Sequence, residues 1–248
     1  LAVRDGVVSH NGEDQSNHFT PSIIKNETMR DELEAKLNSI QHEWPKDLGL
    51  PSTHEGCIVR IIDKIAYTGR DIEDAFTADI LDEETKNEYK EYLKQENTDF
   101  YDPNDLYCPF KNGKFISYFL KDLCDNSRKD GAIALSVSAS RMLLGLITLN
   151  YRKIYNHERV KKFKEQASRG IKILFKYLLM DLQNSNRFVD KSKLPETEIV
   201  YRIFEKFIGN YRDQNIPDEM MVLDFIAGMT DNYLLRCINE LFVPQSIV

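Results

Sequence analysis

Between Arg60 and Phe76 the chain reads RIIDKIAYTGRDIEDAF, and four of its side chains, Asp63, Lys64, Tyr67 and Asp71, are of types that act on small molecules. On a helix turning about 100° per residue, Asp63, Tyr67 and Asp71 fall at i, i+4 and i+8 along one side. Ile58, Ile61, Ile62, Ile65, Ile72 and Phe76 share an arc of about 100° on the opposite side, which predicts that this face is buried. Arg60, Lys64 and Asp74 flank the polar strip. The strip offers two carboxylates for a cation or a hydroxyl, a phenol and its ring for a sugar, and an ammonium for phosphate: a nucleotide-shaped inventory. The same residues also describe a solvated face on which Arg60, Lys64 and Asp71 form helical ion pairs worth a few tenths of a kcal/mol each. Charged faces are common and only Tyr67 is out of place on one, so pattern alone favours the solvated face without closing the question.

The elements that would position these residues are helices. The chain has 248 residues, of which 42% are hydrophobic and 29% charged, with only 11 Gly and 8 Pro, so it is long enough for a sizeable core and poor in breakers. These proportions predict an all-α fold. Thr53 is suited to cap the helix that carries the strip, which is expected to run to about Leu81 before the acidic DEET opens another. NTDFYDPNDLYCPFKNG is the least regular segment and is expected to be an exposed loop. Helices are expected over KFISYFLKDLCDNS, over GAIALSVSASRMLLGLITLNYRKIY, and over HERVKKFKEQASRGIKILFKYLLMDLQ. In the last of these Val160, Phe163, Ala167, Ile171, Ile173, Leu174 and Leu178 recur mostly three or four apart. NGEDQSNHFTPS reads as a loop, TMRDELEAKLNSIQHEW as a charged helical stretch, and PKDLGLPST as a connector. The final helix is expected to start at Pro217, with Asp218 and Glu219 in its first turn and Gly228 inside it, where a close helix approach would account for the glycine. No repeat, low-complexity tract or composition break divides the chain, so a single all-helical domain over 1–248 is the economical expectation. LAVRDGVV begins without Met and reads like the middle of a helix, so the chain is expected to be part of a longer protein.

Charge and cysteine usage narrow the function classes. A formal net charge of -7 argues against a surface built to hold nucleic acid, although a local basic pocket for a small anion fits within it. Cys57, Cys108, Cys124 and Cys237 are widely spaced with no CxxC pair, which suits reduced thiols and a cytoplasmic setting. No apolar run approaches the roughly 20 residues that span a bilayer, and the opening residues lack the layout of a signal peptide. Three His-Glu pairs occur without HExxH spacing, so a zinc-protease reading fails. His10 is expected to serve in a loop or helix cap more than in a site. His157 fits a helix cap and a phosphate contact equally well. Thr230 and Asp231 are expected to be structural, and the basic run from Glu158 to Lys172 a solvated face.

The wording of the strip goes further than its pattern. EGCIVRIIDKIAYTGRDIEDA resembles the segment of the deoxynucleoside triphosphate triphosphohydrolases, the dGTPase-like branch of the HD-domain superfamily, that carries the last metal-binding Asp. NYRKIYNHERV resembles the helix end bearing that family's substrate-sugar Tyr, DFIAGMTDNYLLRCINELF is similar to its C-terminal helix, and AVRDGVVSHNGE resembles the helix before the Asp-bearing segment. The resemblance implies an all-α HD-domain fold and an enzyme that hydrolyses a dNTP to deoxynucleoside and triphosphate with a divalent metal, Mg or Mn. By residue it implies that Asp63 is a metal ligand, Lys64 a phosphate contact, Tyr67 and Asp71 contacts to the deoxyribose and its 3′-hydroxyl, and Tyr155 the ring that packs where a ribose carries its 2′-hydroxyl. The departure from the family is equally plain. No His-Asp dipeptide occurs: His10, His18, His42, His54 and His157 precede Asn, Phe, Glu, Glu and Glu. A metal needs several ligands, so the chain by itself is expected to be inactive, with the missing ligands on an N-terminal HD-bearing segment or a partner copy. The competing classes are a non-catalytic nucleotide-binding or oligomer-assembly module and a phosphodiesterase-type HD enzyme, the latter disfavoured by a Tyr67 and Tyr155 pair suited to deoxyribose.

Overall fold

A computed structural model describes residues 1–10, 18–22, 27–39, 49–95, 100, 102, 104–105, 109–127, 132–183, 199–211 and 216–243. His42, Cys108 and most of the loop expected over 11–22 lie outside them. The chain packs as two compact units, Leu1–Val160 and Lys161–Val248. The fold is all-α: among the described residues the only strands are a two-residue antiparallel pair, with His18 opposite Ala134 and Phe19 opposite Ile133.

The first unit is built around α3 (His54–Thr77), which packs against α1 (Ala2–Ser9), α5 (Asn112–Ser127), α6 (Val137–Asn150) and β2 (Ile133–Ala134). α2 (Glu27–Ser39) contacts α1, α4 is Glu83–Gln95, and β1 is His18–Phe19. Thr53 caps α3 as expected, its side chain accepting from the Gly56 amide at 3.1 Å. The helix ends at Thr77, short of the expected Leu81. Asp79 takes a left-handed φ of 48° there, and the amides of Asp79 and Ile80 donate back to Phe76 and Ala75 at 3.2 and 3.1 Å. This is a Schellman closure with Asp in the place usually held by Gly, which is why no glycine announced it. Ile61, Ile65, Ile72 and Phe76 are buried as predicted. The buried arc is nevertheless wider than the isoleucine face, and Arg60 and Lys64, expected to flank an exposed strip, are 4% and 7% exposed.

Two other expectations are corrected by the packing of this unit. Phe100 and Phe110, in the segment expected to be exposed, are buried with Phe115 and Phe119 in a cluster of rings whose centroids lie 4.7 to 6.0 Å apart. Rings of that size repay ordering an irregular backbone when they can be taken out of water, and the Lys111 amide donates to the Phe100 carbonyl at 2.7 Å. The helix expected to open with GAIALS begins instead at Val137. Ile133 and Ala134 are paired in the strand, and Ser136 caps α6 by accepting from Ala139 at 3.2 Å.

In the second unit α7 (Glu158–Gln183, its first residues belonging to the first unit), α8 (Ile199–Ile208), a 3-10 turn (Gly209–Tyr211), α9 (Asp218–Ala227) and α10 (Asp231–Phe242) enclose a core of Leu174, Leu178, Val200, Phe204, Val222, Phe225 and Cys237. Leu174 and Leu178 are buried as the spacing predicts, but Phe163, Ile171 and Ile173 are exposed. Gly228 is not inside a helix. It terminates α9, and two residues later Thr230 caps α10 by accepting from the Tyr233 amide at 3.3 Å, so the expected single helix is two.

α3 and α5 approach closely at Gly69, where an added Cβ would sit 2.3 Å from Asn112 Oδ1 and 2.6 Å from Phe115 Cδ1. Phe115 is fully buried among other rings and has no room to yield. Gly69→Ala is therefore expected to destabilise the first unit by about 1–3 kcal/mol despite alanine's better helix propensity. A lower midpoint in urea with unchanged slope is the expected reading.

Candidate functional site

The strip on α3 and the turn that follows α6 come together at one place. Beyond Asn150 the helix continues without a break into a π turn, Tyr151–Tyr155, closed by the Asn156 amide donating to the Tyr151 carbonyl at 3.2 Å. π turns are rare and recur at functional sites. At the end of this one the Tyr155 hydroxyl donates to Asp71 Oδ2, joining residues 84 positions apart in sequence. Tyr67 lies one helical turn before Asp71 and is near enough to Tyr155 to help raise it. The Tyr151 ring meets that of Tyr155 edge-on at 6.4 Å between centroids.

The titration behaviour of the cluster follows from burial and like charge. The Asp71 carboxyl is pushed above its ordinary 3.8, first by desolvation, against which the Tyr155 hydrogen bond works, with Asp74 adding repulsion. Tyr67 is raised by burial and then by Asp63 and Asp71. Tyr155 is raised strongly, by burial and then by its bond to Asp71. Both phenols therefore stay protonated and able to donate at neutral pH.

Asn150 anchors the turn. It is fully buried; its Oδ1 accepts from the Tyr89 hydroxyl at 2.9 Å and its Nδ2 donates to the Thr68 carbonyl of α3 at 3.1 Å. On the outer side of the turn Glu88 of α4 accepts from Arg152 at 3.2 Å and from Lys153 at 2.5 Å. Sequence reading missed these supports. The available signal was an asparagine within the apolar run LLGLITLN, since a polar group in such a run needs a partner.

Asp63 stands one helical turn before Tyr67, which its charge helps to raise. It is exposed on the wall of a cleft of about 630 Å3 between α1 and α3, lined also by Val3, Val7, His10, Thr53 and Val59. His10 both lines the cleft and caps α1, its Nδ1 lying 2.5 Å from the Val7 carbonyl oxygen. His157 serves as a cap, its Nδ1 accepting from the Arg159 amide at 3.3 Å. Lys64 is buried with its ammonium 5.3 Å from the centre of the Phe19 ring, and Arg60 lies over the same ring at 5.2 Å. Helical ion pairs are expected of Arg60, Lys64 and Asp71; on this helix Arg70 makes them, with Glu73 at 3.1 Å and Asp74 at 3.0 Å. Among the described residues no three of His, Cys, Asp and Glu converge as metal ligands. The described residues do not by themselves make up a divalent cation site.

Comparisons with known proteins bear on the family of the chain. Residues 133–240 match the phosphohydrolase-associated domain. A deoxyguanosinetriphosphate triphosphohydrolase-like protein of Caldanaerobacter subterraneus subsp. tengcongensis is 30% identical over 199 residues, covering 79% of this chain and 48% of that protein. A protein of the same description from Clostridium tetani is 24% identical over 97% of this chain and 66% of its own length, and one from Rickettsia conorii is 22% identical over 96% and 59%. No solved structure matches the chain with significance. The chain belongs to the dGTP triphosphohydrolase-like family of phosphohydrolases, and it spans between about half and two thirds of the length of these curated relatives. Among the described residues no helix is long and apolar enough to cross a membrane.

Removing the Tyr155 hydroxyl removes the one interaction that lowers the Asp71 titration. Tyr155→Phe should therefore raise it further, a shift measurable by carbon NMR of the carboxylate. The sign for stability follows from a folded-state value above the unfolded one. Asp71 favours the folded protein when protonated, and that contribution is lost as pH rises from near 3.8 through the raised value. The loss should extend to higher pH in the variant.

Proposed function

We propose that this chain is part of a metal-dependent dNTP triphosphohydrolase, which converts a dNTP and water to a deoxynucleoside and triphosphate, and that it supplies one metal ligand together with the sugar and phosphate pocket. The observation that carries this reading is the hydrogen bond from Tyr155 to Asp71. It joins two separate segments, each of which resembles a sugar-contacting element of the same family.

The chemistry available to these side chains is consistent with that role. With Oδ2 occupied by Tyr155, the second Asp71 oxygen is left to accept from a 3′-hydroxyl. The Tyr155 ring, fixed by its own hydroxyl, packs against C2′ and rejects an added 2′-hydroxyl sterically. Tyr67, kept protonated by burial and two carboxylates, donates to the sugar. Lys64 would have to leave the Phe19 ring to reach phosphate, so its role rests on the resemblance alone. Among the described residues Asp63 is the ligand offered to Mg or Mn, and an N-terminal HD-bearing segment or a partner copy supplies the others.

Kinetics on the full-length protein test this assignment. Asp63→Ala should nearly abolish turnover of every dNTP, because a metal serves the step common to all of them. Tyr155→Ala should instead lower the ratio of kcat/KM for a dNTP over its matching NTP, by about 1–3 kcal/mol in discrimination. An unchanged ratio, or near-normal turnover by Asp63→Ala, would defeat the residue assignments. Binding of dNTP with no release of triphosphate by the wild-type protein would favour a non-catalytic module.

A further inference from the structure

Tyr155 reaches Asp71 because the π turn is held beside α3, by Ile154 buried in the core and by a small set of polar bonds. Asn150 is the last residue of α6 and the one from which the turn departs. Both ends of its amide are used: the oxygen by the Tyr89 hydroxyl of α4 and the nitrogen by the Thr68 carbonyl of α3. Thr68 stands between Tyr67 and Asp71 in the strip segment itself. The Thr68 carbonyl can only accept, so this fully buried amide must turn its nitrogen toward α3 and its oxygen toward the Tyr89 hydroxyl. The neighbouring bond from Lys153 to Glu88 limits the outer side of the turn.

We infer that Asn150 is a positioning residue that clamps the π turn between α3 and α4 and thereby sets the Tyr155 ring against Asp71, making it a determinant of sugar discrimination. The inference rests on the pocket proposed above. Asn150 touches no substrate in this scheme; it acts through Tyr155.

Two variants test it in the full-length protein. Asn150→Asp keeps the shape and can still accept from Tyr89, but it cannot donate to the Thr68 carbonyl. Tyr89→Phe keeps the ring and removes only the hydroxyl that Asn150 accepts from, and it decides the matter if Asn150→Asp fails to fold. Hydrogen exchange of the segment from Tyr151 to His157 should rise roughly fivefold to tenfold, the effect of losing one buried hydrogen bond, while α5 is unchanged. The dNTP to NTP ratio of kcat/KM should fall in the direction that Tyr155→Ala gives, by about tenfold, with most of the change in KM for the dNTP. A residue that merely supported the fold would lower both substrates alike and leave the ratio in place. Unchanged local exchange in a folded variant overturns the clamp whatever the enzyme does. Raised exchange with an unmoved ratio, where Tyr155→Ala does move it, overturns the link to discrimination. If Tyr155→Ala itself leaves the ratio unmoved, the pocket assignment has failed, and the exchange result still decides whether the clamp exists.

Discussion

A helix of 24 residues packed against neighbours around most of its circumference can keep only a narrow polar strip in water, and in the first unit that helix is α3. Everything else described in this unit responds to that constraint. α1 and β1 take one flank, α5 and β2 another, and α6 with its π turn a third. Asp63 and Tyr67 lie on the exposed remainder with Val59, Ala66, Arg70 and Asp74, and Asp71 is half-buried at its edge. Because the strip is narrow, its carboxylates and phenol are close to one another and partly desolvated, and this raises the titration of Asp71 and Tyr67 together. The chemistry of the strip is thus a consequence of how completely the rest of the helix is covered.

Covering α3 so fully forces two cations inward. An unpaired buried charge costs several kcal/mol, and the structure offsets this in pieces. Arg60 Nη1 donates to the Ser9 carbonyl at 2.8 Å and the Gly49 carbonyl at 3.0 Å, charge-assisted bonds worth about 1.5–3 kcal/mol each. The Phe19 ring faces Arg60 and Lys64, an arrangement worth up to about 2 kcal/mol per cation when dry. Nearby, buried Asp5 of α1 accepts from the Ser52 amide at 2.7 Å and from the Ser9 hydroxyl at 3.1 Å. The bonds to carbonyls contribute more than the ring does, so the join between α1 and α3 depends on polar atoms as much as on apolar area.

Much of this is legible in the sequence where one element explains itself. The cap at Thr53, the isoleucine face, the helix over α5 and the all-α class follow from local chemistry. Sequence reasoning fails where a second element decides the outcome. No pattern within α3 reveals that Phe19 will arrive to cover Arg60 and Lys64, and nothing in NTDFYDPNDLYCPF reveals that Phe100 and Phe110 turn inward beside Phe115 and Phe119. The break at Gly228 and Thr230 is written plainly as a stop followed by a start, but good helix formers on both sides hide it. The π turn has no compositional signature at all. The pairing of Tyr155 with Asp71 is suggested by likeness to a family, since spacing cannot relate residues so far apart.

The strand pair that delivers Phe19 has a consequence for how the chain acquires its shape. His18 and Phe19 meet Ala134 and Ile133 only after everything from α2 to α5 has been made, a contact of long sequence separation. Such contacts carry the largest closure entropy and form late. Until they form, Arg60 and Lys64 keep their water and α3 remains an amphipathic helix with a solvated basic flank. The nascent protein is thus more hydrophilic along α3 than the finished one, because two charges that end buried beneath Phe19 are still in water.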